Sequence, residues 1–196
     1  SVARTVNWAR RCKVEFQERM KHKFGSEEPR PLLFAVVQGG GSYELRRECA
    51  EALLEIGFDG FAYGGYPLDS NGNLLIDMIK FTRELVPDEF PMIALGVGQP
   101  SNVIKCARSG YDLFDSSMPT RDARQGRLYA FEGEFPSRSE SEVAPCSYVY
   151  VEDRKYSRKK KPISSHCDCL ACANYSLAYL HHLFRIRDAL YFRLAT

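Results

Sequence analysis

The stretch LLFAVVQGGG, residues 32–41, sets the pattern on which the fold prediction rests. It is a short, continuously apolar run with β-branched residues at its end, which is typical of a strand covered on both faces. The run ends abruptly in a glutamine and a group of glycines. Ser42 can cap a helix that begins there, and Gly57 can end it. The stretch therefore predicts one strand–turn–helix unit.

The same unit recurs along the following part of the chain. Further strands are predicted at residues 60–63, 92–95 and 111–114, with helices at about residues 73–85 and 102–108. Successive units of this kind favour parallel strands joined by right-handed crossovers. Each apolar run ends in glycine, glutamine or aspartate, and barrel enzymes carry their sites at the carboxyl ends of their strands.

Four strands are too few to close the usual eight-stranded barrel, and a half barrel leaves two apolar edges unpaired. We therefore predict an α/β fold that is the C-terminal half of a (β/α)8 barrel, preceded by a helix over residues 1–24. Either another chain supplies the other half, or this chain is a fragment, which we favour. A small open α/β sheet is the alternative. Residues 1–127 are assigned to the half barrel and residues 128–196 to an appended subdomain.

Composition and charge exclude few classes of function. The chain has 196 residues, of which 44% are hydrophobic and 27% charged, as in a soluble globular protein, and no apolar run approaches a membrane span. The net charge of +2 says little about nucleic acid. Seven cysteines, an odd number, favour a reducing, cytoplasmic location. Cys12, Cys49 and Cys106 fall on apolar helical faces and are expected to be buried thiols.

The character of the sequence changes after residue 127. Residues 128–131 and 148–151 are expected to pair as antiparallel strands, with a polar surface excursion at residues 132–147. A dense basic segment follows: Arg154, Lys155, Arg158, Lys159, Lys160 and Lys161. Such a run is either a solvated loop or a surface for phosphate groups, and the sequence leaves both open.

Three cysteines, Cys167, Cys169 and Cys172, lie in one tight loop before a helix predicted from about residue 175 to the end. Closely spaced thiolates are suitable ligands for a tetrahedral zinc ion, and a helix N-terminus helps to keep them deprotonated. Free thiols or a local disulfide are the alternative. Of the candidates for a fourth ligand, which include His166, spacing alone favours His181 or His182.

The stretch YDLFDSSMPTRDARQGRLY, residues 111–129, contains the candidate nucleophile. Asp115 follows a short apolar run, and Arg121 and Arg124 come a few residues later. A carboxylate at the mouth of a strand, with guanidinium groups nearby, suits a nucleophile beside an anionic substrate. The alternative is a turn-capping Asp115, with Arg121 and Asp122 as ordinary solvated charges.

Residues 114–129, FDSSMPTRDARQGRLY, resemble a segment of the tRNA-guanine transglycosylases, in which FD precedes two small residues, a hydrophobe, PTR, two residues and RNG. The resemblance continues in order through ARTVNWARRC, VVQGG, AYGGY, LGVG and CDCLAC. It implies the C-terminal half of a queuine-type tRNA-ribosyltransferase. Such an enzyme exchanges guanine at the tRNA wobble position for a 7-deazaguanine, queuine or its precursor, in queuosine biosynthesis.

The resemblance also implies roles for particular residues. Asp115 would form the covalent aspartyl–ribose intermediate, Arg121 and Arg124 would hold tRNA, and the three cysteines would bind zinc. The residues expected to line the base pocket are Gln38, Gly64, Gly65, Tyr66, Leu95 and Gly96. An amide such as that of Gln38 both donates and accepts hydrogen bonds, as reading a purine edge requires. Taken singly, the same residues are equally compatible with strand-end turns.

Departures from the family pattern leave two other functions open. Tyr66 replaces the usual leucine and is followed by Pro67, so the accepted deazaguanine is undetermined. With the excursion at residues 132–147, this motivates a DNA-modifying deazaguanine transglycosylase as the first alternative. The second is a non-catalytic, zinc-bearing RNA-binding partner subunit, which would have no need of Asp115.

The resemblance places further functional groups outside the chain. A second catalytic aspartate would precede Ser1, and the zinc-binding histidine would follow Thr196, which would make His181 and His182 ordinary helix residues. We therefore expect this chain alone to be inactive. At full length we expect a homodimer or heterodimer that acts on tRNA and a 7-deazaguanine base without a membrane.

Overall fold

A computed structural model describes residues 2–23, 30–133 and 146–196, and the chain divides into two compact units. The first unit consists of residues 1–98 and 102–116, and the second of residues 99–101 and 117–196. The chain passes from one unit to the other at Ser116 and Ser117, ahead of the boundary expected after Arg127. Whether catalytic and tRNA-contacting functions divide at the same place stays a prediction.

The first unit alternates helices and strands in the predicted order. Its elements are α1 (Val2–Lys23), β1 (Phe34–Val37), α2 (Tyr43–Ile56), β2 (Gly60–Tyr63), α3 (Ile76–Glu84), β3 (Met92–Leu95), α4 (Pro100–Arg108) and β4 (Leu113–Asp115). The four strands pair in parallel in the order β1-β2-β3-β4. This parallel sheet with alternating helices confirms the α/β prediction and is consistent with a partial barrel.

The two faces of the sheet differ in burial. Side chains on one face belong to the core that the helices share, whereas the other face is only partly covered by the described residues. Residues of the covered face include Ala35, Val37, Phe61, Tyr63, Met92 and Ala94. Strand β1 therefore alternates between half-buried and buried residues, so the described residues cover it fully on one face and not on both as predicted. Of the strands in the described ranges, β2 alone is buried along its whole length.

Two helices of the first unit begin at other residues than predicted. Helix α3 begins at Ile76 rather than near residue 73, because the Asp69 carboxylate accepts hydrogen bonds from the backbone amides of Asn71 and Asn73, each at 2.8 Å. Such side-chain bonds stabilise a turn in competition with a helix. Helix α4 begins at Pro100. Proline suits the first position of a helix because the N–H group that it lacks would have no carbonyl partner within the helix.

The second unit has a small sheet and several short helices. Its elements are α5 (Met118–Arg124), β5 (Arg127–Phe131), β6 (Cys146–Tyr150), a 3-10 turn (Arg154–Tyr156), α6 (Leu170–Asn174), α7 (Leu177–Arg185) and α8 (Ala189–Ala195). Strands β5 and β6 are antiparallel, as predicted. Most of the polar excursion expected between them, residues 134–145, lies outside the described residues.

The continuous helix predicted from about residue 175 is wrong. Helix α7 ends at Arg185, with Ile186 as its C-cap, and Arg187 has a left-handed backbone conformation with a φ of 56°. Asp188 then caps α8 by accepting a hydrogen bond from the Leu190 amide at 2.8 Å. A left-handed residue followed by an aspartate cap ends one helix and begins another.

The cysteines of the first unit divide between core and surface. Cys49 and Cys106 are fully buried, which confirms their prediction. Cys12 is exposed, so the prediction that it is buried is wrong. It lies one helical turn after Trp8, which is 60% exposed, on a side of α1 that faces outward. In the second unit, Cys146 is half-buried. None of the described helices is long and apolar enough to span a membrane.

Candidate functional site

The carboxyl ends of neighbouring strands bring the candidate base-binding residues to one edge of the sheet. Val37 and Tyr63 pair in register, so Gln38 and Gly64 follow side by side. The Gly64 amide donates to the Val37 carbonyl at 3.0 Å. A Cβ atom at position 64 would lie only 2.8 Å from Cδ of Gln38, so the Gln38 amide rests directly on the bare Gly64 backbone. Any larger residue at this position would displace it.

The ends of β3 and β4 continue the same edge. Leu95 pairs in register with Asp115, and the Gly96 amide donates to the Asp115 carbonyl at 2.7 Å. A Cβ atom at Gly96 would lie 3.3 Å from Cδ of Pro67, in the loop after β2. The strand ends therefore form one continuous rim that includes Gln38, Gly64 and Asp115.

Asp115 is exposed on the partly covered face of the sheet. Its carboxylate has no hydrogen-bond or ion-pair partner among the described residues. The first residue of the following turn, Ser117, caps α5 without a side-chain hydrogen bond, and Asp115 does not cap it either. The structure therefore gives no support to a turn-capping role and leaves the Asp115 carboxylate accessible to a ligand.

The loop after β2 and the end of β3 hold the other residues expected in the base pocket. Gly65 has a φ of 96°, a conformation that favours glycine. Tyr66 follows with 75% of its surface exposed, and Leu95 on β3 is half-buried. All the predicted base-pocket residues thus lie at the carboxyl ends of β1, β2 and β3.

Sequence analysis missed Arg46, which is only 1% exposed beneath this rim. Its guanidinium donates to the carbonyls of Gly40 at 2.9 Å, Gly64 at 3.0 Å and Val37 at 3.3 Å. A charged residue on a helix is normally taken for a solvated one. The signal that could have found Arg46 is its helical spacing, because it shares the buried face of α2 with Cys49 and Leu53.

In the second unit, α5 exposes Arg121 and Arg124 and buries Asp122. Asp122 is 2% exposed and accepts hydrogen bonds of 2.6 Å from both Nη2 of Arg127 and the Tyr129 hydroxyl. This bond to Asp122 raises the pKa of Arg127, while burial and the same carboxylate raise the pKa of Tyr129. The interpretation of Asp122 as a solvated charge is wrong, because its carboxylate ties α5 to β5.

The sulfur atoms of Cys167, Cys169 and Cys172 lie within 4.8 Å of one another and could hold a metal ion. Hydrogen bonding from the Cys172 amide lowers the pKa of the Cys169 thiol, and burial raises that of Cys172 to about 11. No other His, Cys, Asp or Glu of the described part joins this group. The ring of His181 instead bonds the Val151 carbonyl through Nδ1 at 2.7 Å.

The basic segment, residues 154–161, is exposed at every arginine and lysine, and its backbone is hydrogen-bonded to α7. The amides of Leu177 and Ala178 donate to the carbonyls of Lys161 at 2.8 Å and Lys159 at 2.9 Å. Tyr156 is buried, and the ammonium groups of Lys155 and Lys159 lie 4.9 Å and 5.5 Å from its ring centre. The segment therefore presents its exposed cations from a backbone that is hydrogen-bonded to α7 and packed through Tyr156.

Comparison with known proteins gives a consistent result. A family model described as queuine tRNA-ribosyltransferase matches residues 1–196. A protein of that name from Caldanaerobacter subterraneus subsp. tengcongensis is 36% identical over 196 residues, which is 100% of this chain and 46% of the relative. Proteins of the same name from Dehalococcoides mccartyi and Acinetobacter baumannii are 35% and 33% identical over the whole chain, which covers 44% and 46% of them. This chain thus spans about half the length of the curated relatives it matches.

Proposed function

Because the chain belongs to the queuine tRNA-ribosyltransferase family, we propose that it carries the nucleophile, the base-binding rim and the zinc ligands of a tRNA-guanine transglycosylase. The whole protein would exchange guanine at the tRNA wobble position for a 7-deazaguanine. One observation carries the proposal: the Asp115 carboxylate, which has no partner in the part of the chain that the structure describes, lies at the strand ends that also carry Gln38, Gly64 and Gly96.

Asp115 would act as the nucleophile. A carboxylate oxygen attacks C1′ of the ribose, the C1′–N9 bond breaks, and its electron pair leaves with the guanine, which takes up a proton. Attack on C1′ by N9 of the incoming base then breaks the bond to Asp115 and releases a proton. A separate acid and base must handle these protons, because Asp115 is consumed as the nucleophile.

The base would lie against the rim at the ends of β1, β2 and β3. The Gln38 amide can both donate to and accept from a purine edge, and Gly64 makes room for this amide at the rim. Gly65, Tyr66, Leu95 and Gly96 complete the proposed pocket. The exposed Tyr66 ring adds an aromatic face on which a base can stack. Stacking of this kind is equally compatible with a tRNA substrate and with a DNA substrate.

The second unit would bind tRNA through phosphate contacts. Arg121 and Arg124 are exposed on a helix that Asp122 fixes in place. The basic segment offers a row of exposed cations. Cations that contact phosphates release the counterions condensed on the nucleic acid. A backbone already held by hydrogen bonds loses little conformational entropy on binding.

The three cysteines would hold zinc in a structural role. Sulfur atoms around a tetrahedral zinc lie roughly 3.8 Å apart for bonds of about 2.3 Å. The observed cluster, within 4.8 Å, needs little adjustment to reach this arrangement. Zinc would cross-link the loop before α6, which contains Cys167 and Cys169, to Cys172 on α6 itself. The zinc content of the wild type, compared with that of Cys169→Ser, tests the assignment.

Trapping the covalent intermediate tests the proposed function. The full-length protein is incubated with tRNA, denatured and separated on a gel. We expect the wild type and the control Asp77→Asn, whose carboxylate is exposed on α3, to form a tRNA adduct. Asp115→Asn should form none, because an amide is a far weaker nucleophile than a carboxylate. An adduct with Asp115→Asn would remove this residue from its role.

The same assay separates the alternatives. Competition between unlabelled tRNA and duplex DNA of equal nucleotide concentration identifies the nucleic acid that reacts. Protection by tRNA alone supports the main proposal, and protection by DNA alone supports the DNA-modifying alternative. A full-length wild type that binds RNA but forms no adduct would indicate a non-catalytic partner subunit.

A further inference from the structure

One face of the small sheet in the second unit carries a group of aromatic side chains that the proposed function does not use. We propose that this tyrosine face, formed by Arg127, Tyr129, Tyr148 and Tyr150, is a stacking surface for unpaired nucleotides of the RNA substrate. The inference rests on the proposed function, because it takes RNA as the substrate. It extends that function to residues that the base-binding rim does not include.

The pairing of β5 with β6 places these side chains on the same face. Arg127 lies opposite Tyr150, and Tyr129 lies opposite Tyr148. Residues directly opposite each other in an antiparallel pair share a face, and successive residues of a strand alternate between faces. The other face of the sheet is buried in the core of the second unit through Leu128, Ala130 and Val149. The sheet therefore has an apolar inner face and an outer face of aromatic rings beside a guanidinium.

Two of the three rings are exposed. Tyr148 is 38% exposed and Tyr150 is 46% exposed, whereas Tyr129 is half-buried. A single exposed aromatic residue needs no explanation. Here the two exposed rings belong to residues two positions apart on one strand, which places their backbones roughly 7 Å apart. Successive bases of a single strand stack on aromatic side chains that follow one another in this way.

Contacts among the side chains hold the tyrosine face together. The buried Asp122 carboxylate accepts hydrogen bonds of 2.6 Å from both Arg127 and the Tyr129 hydroxyl. The guanidinium carbon of Arg127 lies 5.1 Å from the centre of the Tyr148 ring. The rings of Tyr129 and Tyr148 meet edge to face, with their centres 5.5 Å apart. Side chains that are already packed against one another lose little conformational entropy when a ligand binds.

The charges near the tyrosine face in the sequence indicate a polyanionic ligand. Helix α5, with the exposed Arg121 and Arg124, comes directly before β5, and the basic segment follows β6. Lysine and arginine residues outnumber aspartate and glutamate residues in the described part of the second unit. A nucleic acid makes use of both features, because its phosphates contact cations while its bases stack on aromatic rings.

The stacking of bases distinguishes unpaired from paired RNA. In a duplex, each base lies between its neighbours, and its faces are closed to a protein side chain. An unpaired base can leave the stack and lie on an aromatic ring or on a guanidinium plane. The tyrosine face therefore fits nucleotides of an RNA loop and not those of a duplex.

Removal of the exposed rings from the full-length protein tests the inference. Filter binding would give the dissociation constants for two RNAs with equal numbers of nucleotides, a hairpin with an unpaired loop and a fully paired duplex. Tyr148→Leu combined with Tyr150→Leu keeps apolar side chains but removes the aromatic faces. We expect this variant to bind the hairpin about twentyfold more weakly. Its binding to the duplex should change by less than about twofold, because phosphate contacts are kept.

Two controls accompany this variant. Tyr148→Phe combined with Tyr150→Phe keeps both rings and should bind the hairpin as the wild type does. Tyr43→Leu removes a tyrosine of the first unit that is 45% exposed, and it should leave both dissociation constants unchanged.

An unchanged affinity of the double leucine variant for the hairpin would overturn the inference. Equal losses for the hairpin and the duplex would also overturn it, because they would indicate a change in structure and not a loss of stacking. If the double variant fails to fold, Tyr150→Leu replaces it at the more exposed position. About a fivefold loss for the hairpin alone is then expected, and an unchanged affinity would again overturn the inference.

Failure of the proposed function has a different signature. A wild type that binds RNA but forms no covalent adduct with tRNA would refute the proposed function. A wild type that forms the adduct, together with leucine variants that bind the hairpin as tightly as it does, would refute the stacking surface alone.

Discussion

Asp115 and Asp122 lie in the same short stretch of sequence but in opposite physical states. Asp115, at the strand ends of the first unit, is exposed and has no partner among the described residues. Asp122, on α5 of the second unit, is buried and bonded to both Arg127 and Tyr129. A carboxylate at a strand end with no partner among the described residues is available for chemistry, whereas a buried one that accepts two hydrogen bonds holds two elements together.

The largest expected effect is the loss of activity at the unpaired carboxylate. Asp115→Asn should lower guanine exchange by about a thousandfold or more, because it removes the proposed nucleophile. Its free energy of unfolding in urea should change by less than about 0.5 kcal/mol, since no contact is lost. Destabilisation by more than about 2 kcal/mol would mean that Asp115 has a structural role, which would break the comparison.

The buried carboxylate should show the reverse. Asp122→Ala leaves Arg127 and Tyr129 without their acceptor and should destabilise the protein by about 3 kcal/mol in urea unfolding. Tyr129→Phe, which removes one of the two bonds, should cost about 1 kcal/mol. If Asp122→Ala were as stable as the wild type, the link between α5 and β5 would be unimportant.

The arginines beside Asp122 should affect binding and not stability. Arg121→Gln combined with Arg124→Gln should weaken tRNA binding about tenfold at physiological salt and reduce its dependence on salt concentration. Arg4→Gln with Lys80→Gln removes the same charge from exposed positions of the first unit and serves as the control. Equal losses in the two double variants would indicate a general effect of charge.

A third aspartate lies between the two extremes and gives the smallest effect. Asp59 accepts bonds from Arg30 and from the Leu33 amide at 2.7 Å, and the bond from Arg30 lowers the pKa of Asp59 to about 2. Because this pKa lies below the unfolded value of about 3.9, the stabilisation is present above pH 4 and is lost as pH falls toward 2.

Asp59→Asn should therefore destabilise the protein by about 1 kcal/mol at pH 7, since the partly exposed Arg30 weakens the pair through solvent screening. The difference between variant and wild type should shrink as pH is lowered from 4 to 2, as followed by urea unfolding at each pH. A difference that stays constant over this range would show that the charge of Asp59 does not matter.

Local signals made the first unit largely predictable. The apolar runs, the glycines after them and the cap at Ser42 all lie within a few residues of the elements they specify. The candidate base-binding residues follow the strands directly, and parallel strands place such residues together. Their chemical roles stay predictions that came from the resemblance.

Distant contacts explain what was missed. Arg46 is buried because carbonyls of two other loops accept its hydrogen bonds, and Asp122 is buried because a following strand supplies two donors. Similarly, Cys12 lies on an apolar-looking face that nothing in the described part covers completely. Periodicity indicates which residues share a face but not which groups will meet that face.

The break at Arg187 has a consequence for how the protein is made. It lets α8 return so that the Tyr191 hydroxyl bonds the Ala123 carbonyl at 2.8 Å, across 68 residues of sequence. On a ribosome, the helix that carries Arg121 and Arg124 is synthesised well before this contact exists. This support is therefore available to the arginine-bearing helix only after Tyr191 has been synthesised.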